Sequence, residues 1–146
     1  MASKITNRGK LHMLTMAFQN DNSPSGTHFN VELLSGTVPT NPEDLNTYSD
    51  VSSNVIAGKT ANVSRDTTDW DVETETDGST DTAIIQIKDL DFAGAITGAT
   101  GAILTDRNGT ANSRIIYAYW DLGGSRSVSA GQTLTLQDLE IKLNDS

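Results

Sequence analysis

The chain contains no cysteine in its 146 residues. That excludes disulfide scaffolds, thiol catalysis, iron–sulfur clusters and cysteine-ligated zinc. Aromatic residues make up 5%, proline occurs three times, and charged residues reach only 20%. A coiled coil rich in Ala, Glu, Lys, Leu and Arg is therefore excluded, as is a strongly charged disordered chain. No window approaches the ~18 consecutive apolar residues of a membrane helix, so no membrane partner is expected. Basic residues are scarce: Lys+Arg number 10 against Asp+Glu 19, a net charge of −9. Phosphate neutralisation needs Lys and Arg in quantity, so direct nucleic-acid binding is not expected. The first ten residues carry positive charge with no apolar stretch behind them, which predicts no secretory signal and synthesis in the cytoplasm.

Thr, Ser, Asn and Gly fill the space left by charged and aromatic residues. Uncharged polar residues in this amount suit β-strands with many turns and a solvated outer face. The length suits a single domain over 1–146 with one core. The helical period is confined to the start. Leu11, Leu14, Ala17 and Phe18 recur at helical spacing between Arg8 and Phe18, with Thr6 or Asn7 placed to cap, and Asn20 to Gly26 ends the run.

Beyond Gly26 the period is two. Phe29, Val31 and Leu33 alternate with His28, Asn30 and Glu32, a half-buried strand. A short helical turn is expected from Pro42 towards Val51, burying Leu45, Tyr48 and Val51. Asn54–Ala57 reads as a strand ended by Gly58, and Thr82–Phe92 as a strand covered on both faces. Ala93–Gly101 reads as a loop, Ala102–Thr105 as a short strand, Asn108-Gly109 as a turn, Arg114–Leu122 as a strong strand, and Gly123-Gly124-Ser125 as a chain reversal. From Thr133 to Leu143 the apolar positions change phase, from Leu134 and Leu136 to Leu139, Ile141 and Leu143. One regular strand cannot send both sets into one core, so a bulge near Gln137-Asp138, or a strand serving two layers, is expected. About seven or eight strands and one helix predict a mainly β fold: an antiparallel β-sandwich or jelly-roll-like body with one N-terminal helix.

A search for chemistry returns little. His12 reads as a partly buried structural residue of the helix and His28 as exposed. No Glu or Asp four residues away forms a metal-binding pair with either, and HExxH is absent. No Gly-x-Ser-x-Gly elbow, Walker A loop or GxGxxG occurs. Asp89 and Asp91 share a strand face, but a glycosidase would also need an aromatic-lined cleft. No enzyme, no cofactor and no metal site is expected.

The charge is unevenly placed. Residues 1–10 hold Lys4, Arg8 and Lys10 and no acid, which leaves seven bases and 19 acids, or −12, on residues 11–146. This basic N-terminal arm, with Ile5 as an apolar anchor, reads either as a solubilising end or as an arm that docks on an acidic neighbour. Asp69, Asp71, Glu73, Glu75 and Asp77 are spaced by two, so a strand would point them all one way, with Trp70 and Val72 facing the other. The stripe fits a solvated or edge-protecting strand face, a docking surface for a basic partner, or, less well than the loop Asp77–Asp81, a calcium site.

Several stretches, in order, resemble small virion structural proteins of tailed bacteriophages. They are Thr6-Asn7-Arg8-Gly9-Lys10-Leu11, Ser64-Arg65-Asp66-Thr67-Thr68-Asp69-Trp70, Ile85-Gln86-Ile87-Lys88-Asp89, Ala118-Tyr119-Trp120-Asp121-Leu122-Gly123 and Ser127-Val128-Ser129-Ala130-Gly131-Gln132-Thr133-Leu134. The likeness spans nearly the whole chain and is nearest to decoration, or cement, proteins of the head. It implies a non-enzymatic protein on the outer capsid surface, a partner in the major capsid protein, a homotrimer, and stabilisation of the shell between capsomers. Two other readings stay open: a carbohydrate- or receptor-binding fibre module using Trp70, Tyr117, Tyr119 or Trp120, and a tail or neck component.

Overall fold

The computed structural model describes residues 5–19, 29–72, 82–107 and 110–144. The fold is mainly β, with antiparallel sheets and one N-terminal α-helix, consistent with a β-sandwich-like body. The residues group into two compact units, neither contiguous in sequence.

The first unit takes its residues from 1–23, 64–89 and 137–146. Helix α1 (Asn7–Phe18) starts where Thr6, in extended conformation, accepts the Gly9 N–H on its hydroxyl at 3.1 Å. That bond satisfies one of the donors a helix start leaves open. Its buried face is Lys10, Leu14 and Phe18, spaced by four, while Met13, Met16 and Ala17 are exposed. Ala17 was expected on the buried face; the stripe runs one position away from it. His12, expected to be partly buried, is exposed.

The helix lies against a three-stranded sheet ordered β3 (Trp70–Val72), β4 (Thr82–Ile87), β9 (Leu139–Asn144). Central β4 alternates: Ala83, Ile85 and Ile87 are fully buried, and Ile84 and Gln86 partly exposed. It is thus a half-buried strand, not one covered on both faces. Trp70 stacks at a tilt on Phe18, with ring centroids 5.3 Å apart. Its indole N–H donates to the Ser64 carbonyl at 2.8 Å, so its polar atom is satisfied in the core.

The second unit takes residues 24–63 and 90–136. Four antiparallel strands lie in the order β2 (Val55–Val63), β1 (Phe29–Ser35), β6 (Ile96–Asp106), β7 (Ile116–Val128). A two-stranded ribbon pairs β5 (Leu90–Ala93) with β8 (Thr133–Leu136). The core runs along β1 and β6, where Val31, Leu33, Ala102, Ile103 and Leu104 are fully buried. Residues 42–54 form three short 3-10 turns rather than one helical turn. Even so, Leu45 and Tyr48 pack on the cluster of Leu34, Val51 and Ile103, which is the burial expected of them.

Several boundaries depart from the sequence reading. Ala93–Gly101 is not a loop, because β6 begins at Ile96 and carries its glycines through irregular register. Gly58 lies inside β2, where the register against β1 slips between Val55 and Thr60. Gly123-Gly124-Ser125 does not reverse the chain. It forms an excursion within β7, since Gly101 pairs with Asp121 while Ala99 pairs with Arg126. Gly123 and Gly124 hold φ of 70° and 137°, which L side chains rarely adopt, and the Asp121 carboxylate accepts the Gly123 N–H at 2.8 Å. Strand 133–143 does break at Gln137-Asp138. Leu134 and Leu136 pair with β5, whereas Leu139, Ile141 and Leu143 pair with β4. The phase change records one segment serving two sheets, and Asp138 makes the switch at φ 56°.

Candidate interaction surface

The second unit contains a polar cluster where the sequence reading put a wet strand face. Alternation along β1 places Asn30 and Glu32 together, but β1 is an inner strand, so its neighbours cover both residues. The Glu32 carboxylate accepts from the Thr60 and Thr105 hydroxyls, each at 3.4 Å, and faces Arg114 Nη2 at 3.6 Å. The Glu32 and Arg114 side chains are only 6% and 11% exposed, so the pair is nearly dry. With its amide oriented to satisfy both neighbours, Asn30 donates to Asn62 Oδ1 at 2.9 Å and accepts from Arg114 Nη1 at 3.2 Å. The guanidinium lies 4.3 Å from the centre of the Tyr48 ring, a cation–π contact. Burial, with Glu32 adding to it, pushes the Tyr48 phenol above its ordinary pKa, against the pull of Arg114.

This cluster fixes a surface. Arg114 sits just ahead of β7, and its carbonyl accepts the Tyr48 N–H at 2.9 Å. Ile116 N–H donates to the Asn46 carbonyl at 3.0 Å, and Thr47 bridges to Ile115. Segment 46–48 is thereby pinned along the first residues of β7. β7 is the last strand of its sheet among the described residues. Between this strand and the pinned segment lies a groove of about 380 Å³, lined by Pro42, Glu43, Leu45, Asn46 and residues 116–119. Beside it Ile115 is 51% exposed and Tyr117 41%, although the Tyr117 ring also meets Phe29 edge-on at 5.5 Å. A sheet edge offers backbone N–H and C=O groups in a row, and apolar side chains alongside make it a surface for an added strand.

The residues singled out from charge are scattered. Lys4 lies outside the described residues, and Ile5 and Arg8 are exposed. Lys10 is 1% exposed, within α1 rather than on a free arm. Helix formation explains this, because the N-cap at Thr6 draws the next residues into the first turn. Asp69 is half-buried and staples its own loop, accepting the Ser64 N–H at 2.7 Å. Asp71 is exposed on β3. Glu73, Glu75 and Asp77, the loop Asp77–Asp81, His28 and the Asn108-Gly109 turn lie outside the described residues.

Among the described residues no three His, Asp or Glu side chains converge as metal ligands. No helix among them is long and apolar enough to cross a membrane. The sequence reading missed Glu32 and Arg114. Their one visible trace is a carboxylate in a strand with an unusually apolar flank, and the partner arrives 82 positions later. Comparison of the chain with protein-family models, with curated proteins and with solved structures finds no match.

Proposed function

We propose that this chain is a non-enzymatic structural protein of a tailed-phage virion, a decoration or cement protein. It would be made in the host cytoplasm and bind the major capsid protein on the outer capsid surface as a homotrimer. The sequence resemblance supports this station. The structural observation that carries the binding role is the groove beside the outermost strand β7, with Ile115 and Tyr117 exposed. Strand addition at a sheet edge gives affinity through main-chain hydrogen bonds and selectivity through flanking side chains. Trp70 gives no support to a sugar-binding reading, because it is 3% exposed and its N–H is already bonded.

The test is co-sedimentation of the purified chain with expanded shells of its particle, followed by negative-stain imaging of labelled virions. Saturable binding and label on the head are expected. Ile115→Lys together with Glu43→Lys should lower occupancy at least tenfold with an unchanged melting temperature, since both residues are exposed. Full occupancy by that variant would remove the β7 edge from the contact. Label on the tail or neck, or binding to glycans in place of shells, would overturn the decoration reading.

A further inference from the structure

A second cavity, of about 210 Å³, lies within the same unit. Leu34, Leu45, Val51 and Pro39 give it apolar walls, and Asp50 and Tyr119 place a carboxylate and a phenol on its lining. We propose that it binds a primary ammonium group carried on a compact apolar body.

The walls are held independently of any occupant. Asn54 Nδ2 donates to the Ser35 carbonyl at 3.1 Å, and the Thr100 hydroxyl donates to the Gly36 carbonyl at 2.9 Å. Leu34 and Val51 are each 4% exposed and anchor the floor in the core. The Asp50 carboxylate is fixed through one oxygen: Oδ2 accepts the N–H groups of Asn46 at 3.0 Å and Thr47 at 2.9 Å. Those two bonds hold its pKa below the ordinary carboxylate value, so it remains anionic in mild acid. Oδ1 has no hydrogen bond to a described residue.

Tyr119 is admitted by Gly101. A Cβ at position 101 would stand 2.7 Å from both the ring Cε2 and the hydroxyl, so only glycine lets the ring lie where it does. The Tyr119 hydroxyl has no hydrogen bond to a described residue, and burial, with Asp121 adding to it, raises its pKa, keeping it a neutral donor and acceptor. An anionic oxygen, an aromatic ring and aliphatic walls together select a cation with an apolar stem. An ammonium can bond the carboxylate and meet the ring, while its body displaces water from the leucines. The net charge of −9 favours the same sign of ligand. Such a group can come from a free amine or from the lysine side chain of another protein.

The experiment is an amide NMR titration of the full chain with benzylammonium, benzyl alcohol and benzoate, and with two otherwise identical short peptides carrying lysine or norleucine. Benzylammonium should shift Leu34, Val51 and Tyr119 with a dissociation constant of about a millimolar. Benzyl alcohol should bind at least tenfold more weakly, and benzoate should leave these resonances in place. Asp50→Asn and Tyr119→Phe should each weaken benzylammonium severalfold. Raised salt should do so in the wild-type chain, a readout that stands if either variant fails to fold. Shifts with the lysine peptide and not the norleucine peptide would identify a protein side chain as the source; shifts with benzylammonium alone would identify a free amine. Equal binding of benzyl alcohol and benzylammonium, or no shift at these residues, would overturn the proposal.

Discussion

At the residue scale, the stability of the four-stranded sheet depends on one nearly dry ion pair. Removing one partner of such a pair leaves the other charge buried and uncompensated, which costs more than the pair contributes. Arg114→Met should therefore destabilise the chain by about 3 kcal/mol in urea denaturation. Glu32→Met combined with Arg114→Met should recover most of that loss, because two apolar side chains leave no charge unpaired. A double variant as unstable as Arg114→Met would mean that Arg114 acts through Tyr48 and Asn30 rather than through Glu32. Asp50 supplies a pH signature of opposite origin. Its folded pKa lies below the unfolded one because of the Thr47 and Asn46 N–H groups. Its contribution is present above the unfolded pKa and disappears as pH falls through the folded pKa. Asp50→Ala should flatten that part of the acid limb below about pH 4, measured as melting temperature against pH.

At the element scale, boundaries depend on pairing partners that lie far away in sequence. The phase change at 133–143 was legible as a conflict, because a strand has period two and cannot face both sets inward. Which of the two remedies applies depended on β5 and β4, each of which claims one half. Asp138 carries the switch in a left-handed conformation that Asp tolerates better than β-branched residues. Asp138→Gly should be neutral or mildly stabilising, and Asp138→Val should cost about 1–2 kcal/mol by chemical denaturation. Equal stability of the two variants would mean the backbone relaxes there freely. The helix start is a contrasting, local case: the sequence allows Thr6 or Asn7 as the cap, the structure uses Thr6, and Thr6→Ala should cost about 1 kcal/mol. Glycine-rich stretches were the hardest to read. Gly98, Gly101 and Gly123 looked like loop residues, yet they sit in strands that must bulge or let a tyrosine ring approach the backbone.

At the scale of the whole molecule, two units share one chain that passes between them at 23–24, 63–64, 89–90 and 136–137. The last three passages carry no linker or composition shift, since each falls between one strand and the next. Deleting residues 137–146 removes β9 and strips β4 of one ladder. Hydrogen exchange should then lose protection across β4, while β1 and β6, whose ladders lie wholly in the other unit, keep theirs. Equal loss of protection in β1 and β6 would show that the units stand or fall together. The charge pattern also changes meaning at this scale. A basic arm of ten residues is not what the fold presents, since the helix begins at Asn7 and buries Lys10. A truncation meant to probe an arm must spare Thr6, or it removes the helix cap as well.

The sequence by itself determined the mainly β class, the N-terminal helix, the phase break at Gln137-Asp138 and the burial of Leu45, Tyr48 and Val51. Those follow from periodicity, capping and side-chain apolarity, which act over a few residues. Only the tertiary structure decided that β1 lies inside its sheet and that Glu32 is therefore buried. It also decided that Arg114 reaches Glu32, and that β7 is the outermost strand of its sheet, beside a groove. Alternation shows that one strand face differs from the other. Whether the polar face meets water depends on which strands flank it, and that is set by pairing between residues tens of positions apart.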